Sequence, residues 1–147
     1  MPGLSGMTLA SGKDDDLRSF YKEFGLSAVA VRRIAEDVSD LIETTSELYR
    51  IGNSSIEGQG VFARKRMLSG TCVGKARIAD KRTPLGRFAN HAKDPNSIMA
   101  FDRESDVVMV LTRDVIAGEE LVLNYRQVAS DIWNLVPCAA NPSLPAD

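Results

Sequence analysis

Tyr125 closes the run Glu120-Leu121-Val122-Leu123-Asn124-Tyr125 and offers a phenol that can orient a nucleophile. A phenol with a pKa of about 10 is a poor base at neutral pH unless strongly perturbed, so alignment is the better-supported role. Upstream, Arg87-Phe88-Ala89-Asn90-His91-Ala92-Lys93-Asp94-Pro95-Asn96 is a polar loop. Its proline fixes a turn, and its last asparagine can bond backbone groups. His91 is the chain's single histidine. With no second titratable group among the fixed positions Asn90, His91, Pro95 and Asn96, it reads as a positioning group rather than an acid–base catalyst. Earlier still, Gly58-Gln59-Gly60-Val61-Phe62-Ala63 strips side chains from a loop, which lets backbone groups approach a ligand closely. Alone, each segment is an ordinary turn or strand end.

Several other chemistries are excluded. The glycine loop also satisfies the dinucleotide fingerprint, with alanine in the last place and Asp80 near the expected acid distance. That fingerprint needs a buried strand before it and a helix after it. Here Asn53-Ser54-Ser55 precedes the loop, and Ser69-Gly70 interrupts any helix after it. Two cysteines, Cys72 and Cys138, build neither a disulfide framework nor a zinc cluster, and with one histidine no metal site is expected. No apolar run is long enough to span a bilayer, and the N-terminus has no secretory layout. The chain reads as intracellular, cytoplasmic by default and nuclear in a eukaryotic source. Net charge is −2, yet Arg64, Lys65, Arg66, Lys75, Arg77, Lys81, Arg82 and Arg87 face a single acid, Asp80. No aromatic residues are interleaved for base stacking, so the block reads as a solvated face and nucleic acid is not an expected partner.

Elements must hold these groups in place. At 147 residues the chain bounds one main domain with a small helical appendage. Residues 1–13 are expected to be a flexible leader, 14–45 a helical prefix, 46–135 the principal domain and 136–147 a flexible tail. Asp14 can cap a first helix, with Asp15 and Asp16 at its positive end and Leu17, Phe20, Tyr21 and Phe24 on one face. Gly25 suits its stop. A second helix is expected from about Ser27 to Thr45, where Val31, Ile34, Val38, Leu41, Thr45 and Leu48 make a heptad-like seam. Packing on the chain's own core is the favoured use of that seam; a homodimer through the prefix is the alternative. Short β-branched runs then occupy 47–51, 61–63, 71–78, 97–101, 107–111 and 121–124, divided by glycine, Asn-Ser and Asp-Arg signals.

In this order, the glycine loop, the Asn-His-x-x-x-Pro-Asn string and the strand ending in Tyr125 resemble the core motifs of the SET-domain protein-lysine methyltransferases. The likeness is to small viral or bacterial members without a zinc-binding tail. The resemblance implies a mainly β, α+β fold. That fold is β-clip-like, of short, mostly antiparallel strands with knot-like C-terminal threading, here preceded by two helices. It implies S-adenosyl-L-methionine as cofactor, S-adenosyl-L-homocysteine as product, and a protein or peptide lysine as substrate. By that resemblance Tyr125 is the catalytic tyrosine. Gly58, Gln59, Gly60, Phe62, Arg87, Phe88, Asn90 and His91 hold the cofactor, and Trp133 closes the site by stacking on adenine. Met99, Leu123 and Tyr125 line the lysine channel; with no extra hydroxyl at Met99 or Leu123, more than one methyl is expected.

Two departures from the family pattern matter. The segment between Gly60 and Asn90 is short where family members carry a larger substrate-facing insert, and Thr71–Gly86 contains no aromatic residue. Tyr21, Tyr49 or a second subunit would have to complete the cleft. A catalytically silent binding module of the same fold is the alternative function, although retention of Tyr125, Asn90 and the glycine loop together favours an enzyme.

Overall fold

In a computed structural model, residues 15–37, 39–44 and 46–138 are described. Two helical segments come first, residues 15–23 (α1) and Ala28–Glu36 (α2). The strands are β1 (Tyr49–Asn53), β2 (Gln59–Ala63), β3 (Cys72–Ile78), β4 (Lys81–Arg82), β5 (Asn90–His91), β6 (Ser97–Phe101), β7 (Val107–Leu111) and β8 (Glu120–Leu123). Two further short helices are α3 (Pro84–Phe88) and α4 (Tyr125–Asp131). The chain is thus mostly β-strand with few helices. Each β-branched run forms a strand, with ends shifted by a residue or two.

The strands make two four-stranded sheets, ordered β1-β2-β8-β5 and β4-β3-β7-β6. All pairings between these strands are antiparallel except β5 with β8, where Asn90 faces Val122 and His91 faces Leu123 in parallel. Between the sheets lie Val61, Ala63, Val73, Met109, Leu111, Leu121 and Leu123, all buried. A separate small cluster joins Phe20 and Phe24 of α1 to Ala129 of α4.

Local chemistry explains where the helices stand. Gly25 takes φ +67, the left-handed conformation that ends α1 without a Cβ penalty. Ser27 caps α2 by accepting from Ala30 N at 3.3 Å. Thr83 caps α3, and Pro84 begins it with a φ already suited to a helix. At Gly86 a Cβ would collide with the Ala76 carbonyl, so only glycine lets α3 lie this close to β3. Asn124 caps α4, its side chain accepting from Arg126 N at 3.0 Å.

The second helix is shorter than its periodicity predicts. It ends at Glu36 rather than near Thr45, because Arg82 competes for the backbone that would continue it. Arg82 donates to the Ile34 and Asp37 carbonyls and pairs with the Asp40 carboxylate at 2.8 Å. Ile42 N then donates to Arg82 O at 2.7 Å, and Leu41 bridges Arg82 as a parallel strand fragment. The heptad seam is lost with the helix: Ile34 is 66% exposed, Leu41 lies in the extended fragment, and Val38 and Thr45 fall outside the described residues. Asp14, the expected cap of α1, also lies outside them.

Candidate functional site

A cleft of about 620 Å³ opens where α1 and α2 meet the edge of the first sheet. One wall comes from the motif residues Glu57, Gly58, Gln59, Arg87, Phe88, Ala89 and Asn90, with Tyr125 beside them. The other comes from Leu17, Arg18 and Tyr21 of α1 and Val31, Arg32 and Glu36 of α2. Segments distant in sequence therefore converge on one cavity.

Asn90 clamps the glycine loop. Its amide donates to the Glu57 and Gln59 carbonyls, each at 3.1 Å, and to Glu120 Oε2 at 3.0 Å. Glu120 in turn accepts from Ser54 Oγ at 2.9 Å, while Ser54 N donates to Gly58 O at 2.8 Å. Gly60 is buried under this carboxylate, and a Cβ there would run into it. At Gly58 φ is +47, and no atom lies within 4 Å of where a Cβ would stand, so the backbone faces open space. Glu120 belongs to the strand that ends in Tyr125, yet its role was not legible: it appears only once β2 and β8 pair and place it over Gly60.

Asn96 fixes the other end of the polar loop. This buried side chain donates to Glu120 O at 2.9 Å and accepts from Val122 N at 2.9 Å. The asparagine after the proline thus bonds backbone groups of β8.

Tyr125 sits at the start of α4. Its hydroxyl donates to Ala89 O at 2.7 Å, and its backbone N–H donates to His91 Nδ1 at 3.0 Å. Burial pushes the phenol above its ordinary pKa, so it is protonated across the neutral range. His91 is buried behind it rather than lining the cleft. Since Nδ1 accepts, Nε2 carries the ring hydrogen, which goes to Asp16 Oδ2 at 2.6 Å. Burial lowers the imidazole pKa, with Asp16 opposing.

Arg87 lines the cleft with its guanidinium 4.8 Å over the Phe88 ring. Its Nε is buried and has no hydrogen-bond partner among the described residues. Burial, and then the neighbouring Arg82, lower its pKa. A buried donor left unpaired is costly, so this position favours an acceptor brought by a ligand.

Other expected site residues stand elsewhere. Phe62 is on the opposite face of β2 from the buried Val61 and Ala63, and its ring lies 4.8 Å beneath the Arg50 guanidinium. Met99 and Leu123 are buried in the core and do not reach the cleft. Leu123 lies on β8, which is flanked by β2 and β5, and the Met99 backbone is held by both ends of the Gln127 amide. The large apolar side chains that line the cleft beside Tyr125 are Leu17, Tyr21, Val31 and Phe88. Trp133 is 52% exposed, just beyond α4, and is not part of the cleft. Among the described residues one acidic trio, Asp102, Glu104 and Asp106, is spaced to hold a cation. Lys75 Nζ occupies it, 2.7 Å from Asp106 and 3.0 Å from Glu104. No helix among the described residues is long and apolar enough to cross a membrane.

Residues 76–126 match the family model described as SET domain. A Drosophila melanogaster protein named histone-lysine N-methyltransferase trr is 28% identical over 120 residues, which covers 78% of this chain and 5% of that protein. The chain thus spans only a small part of its relative's length. Among solved structures, a Plasmodium falciparum protein described as a candidate histone methyltransferase shares 16% identity at a TM-score of 0.46, covering 55% of this chain and 95% of that one. Chaetomium thermophilum Polycomb Repressive Complex 2 bound to GSK126 shares 20% identity at a TM-score of 0.46, covering 55% and 16%. The matched family segment runs from within β3 into α4 and contains Asn90, His91 and Tyr125, while the glycine loop lies before it.

Proposed function

We propose that the chain is a protein-lysine N-methyltransferase using S-adenosyl-L-methionine, and that cofactor and lysine meet in the cleft beside Tyr125. The observation that supports this most is one of position. Tyr125, its hydroxyl bonded to Ala89 O at 2.7 Å, lines one cavity with Gly58, Gln59, Arg87, Phe88 and Asn90. The histone-lysine methyltransferase name carried by the Drosophila relative is consistent with a protein lysine as substrate.

The residues present suit such a cofactor. The open side of Gly58 admits a close ligand, the unpaired Arg87 Nε suits a carboxylate, and Phe88 offers an apolar face. Asn90 would act by keeping the loop in place. S-adenosylmethionine, when bound, supplies an electrophilic methyl carbon. Everything else is the protein's work.

A lysine amine of pKa about 10.4 must lose a proton, at a cost of roughly 4–5 kcal/mol near neutral pH. The raised pKa of Tyr125 argues against the phenolate as the base. The apolar lining from Leu17, Tyr21, Val31 and Phe88 instead lowers the amine pKa by desolvation, and water carries the proton away. With its hydrogen committed to Ala89 O, the phenol oxygen has lone pairs left to accept an amine N–H. That contact aims the nitrogen lone pair along the cleft, and such alignment is worth as much as about 7–11 kcal/mol.

The test pairs calorimetric titration of S-adenosylmethionine with labelled-methyl transfer into a whole-cell extract, for wild type and Tyr125→Phe. The reading predicts cofactor binding by both proteins and labelled protein from wild type alone. Cofactor binding with no labelled product from wild type would establish the alternative, a binding module of the same fold. Absence of both would overturn the reading.

A further inference from the structure

The residues that hold Tyr125 lead away from the motifs to the first helix. Tyr125 N–H ends on His91 Nδ1, and His91 Nε2–H ends on Asp16 Oδ2. The same carboxylate is gripped by Arg126, with Nη1 to Oδ2 at 3.0 Å and Nη2 to Oδ1 at 3.1 Å. Two adjacent residues of α4 are thus tied to one side chain of α1, Arg126 directly and Tyr125 through the imidazole. We propose that Asp16 is a positioning residue for Tyr125, which makes α1 a working part of the active site; this rests on the methyltransferase reading.

The physical case is one of constraint. Nδ1 cannot accept the Tyr125 N–H unless the ring's hydrogen sits on Nε2, and a buried N–H needs an acceptor. Asp16 supplies it, and Arg126 holds that carboxylate in place. The ring lies between Phe20, at 6.2 Å and nearly parallel, and Tyr125, at 5.0 Å. Freed of Asp16, the imidazole can turn about its side-chain bonds, and the N–H that anchors the first residue of α4 loses its acceptor. The phenol would then keep its Ala89 bond and its edge contact with Phe20, centroids 6.0 Å apart, above a backbone that is no longer anchored.

The charged groups facing His91 are Asp16 of α1 and Arg126 of α4; Asp16 favours protonation and Arg126 opposes it. A protonated ring would also turn an Nδ1–H toward the Tyr125 N–H.

The structure contains its own control. Glu23 binds the same Arg126, with Nη2 to Oε2 at 2.9 Å, and so also fastens α1, yet its described contacts do not include His91. Because the chain has one histidine, its imidazole nitrogens give a single set of 15N signals. In wild type at neutral pH that spectrum should show the neutral Nε2–H form. Asp16→Ala should shift it, speed exchange of the Tyr125 amide and lower kcat about tenfold, with cofactor affinity held within about twofold. Asp16→Asn retains an oxygen to accept Nε2–H and should recover part of the loss, which also covers the case in which the alanine variant loses α1. Glu23→Gln should leave both the imidazole spectrum and kcat essentially as in wild type. Equal losses of kcat from Asp16→Ala and Glu23→Gln, with an unshifted imidazole, would overturn the proposal. A wild-type protein that transfers no methyl would sink the methyltransferase reading, while the imidazole spectrum and Tyr125 amide exchange would still decide whether Asp16 holds this chain of contacts.

Discussion

The two walls of the cleft are built by opposite means. The motif wall is a set of short polar side chains bonded to backbone or to one another: Asn90 to the glycine loop, Asn96 to β8, Ser54 to Glu120. It grows out of the sheet and shares the main core. The helical wall is held by an aromatic wedge, Phe20 and Phe24 on Ala129, and by Arg126 gripping Asp16 and Glu23 across more than a hundred residues of chain. A second latch, Arg82 on Asp40, holds the end of α2. This difference predicts that the helical wall can loosen without unfolding the motif wall.

Phe20→Ala should separate the two walls most strongly. Deleting a large, fully buried ring costs about 3–4 kcal/mol. Here the loss should fall on α1 docking alone: amides of residues 15–23 should lose exchange protection while those of β8 keep theirs. A matching drop in β8 protection would show that the two walls form one cooperative unit.

Asn90→Ala should do the reverse. Removing its three hydrogen bonds, one to a carboxylate, should cost about 2–3 kcal/mol, read in the global denaturation midpoint with α1 still docked. Cofactor affinity should fall with it.

Acid should release the helical wall first. Arg126 hydrogen-bonds the charged forms of Asp16 and Glu23 and holds both pKa values below their ordinary range. Their contribution is therefore full above about pH 5 and is lost as pH falls through the ordinary and then the depressed folded values. Exchange protection of residues 15–23, tracked from neutral pH downward, should persist to that window and then collapse. Collapse already between about pH 6 and 7 would point to His91 as the controlling group instead.

The smallest effect is expected from Ser54→Ala, about 1 kcal/mol of global stability, because Glu120 keeps its bond from Asn90. A loss as large as that of Asn90→Ala would mean that Ser54, rather than Asn90, carries the loop.

These walls also differ in how far they could be read from residues alone. The β-runs and the motif wall were legible because their signals are local: β-branched stretches bounded by glycine and aspartate, and an asparagine string whose partners lie on paired strands. β4 and β5 escaped notice because two residues carry no period. Helix α2 was overdrawn because periodicity ignores a competitor such as Arg82, which takes carbonyls the helix would have used. Asp16 was legible only as a helix-end acid; its partners, His91 and Arg126, become neighbours through tertiary packing. Trp133, Met99 and Leu123 were placed by analogy of position, and burial or exposure set them apart from the cleft.

The most direct measurement is a crystal structure of the protein grown with S-adenosylhomocysteine. The account predicts the nucleoside product in the cleft between the Gly58 loop and Arg87, with the Tyr125 hydroxyl still on the Ala89 carbonyl and facing the sulfur. A cleft without the product at saturating concentration, or a phenol turned away from it, would contradict the account.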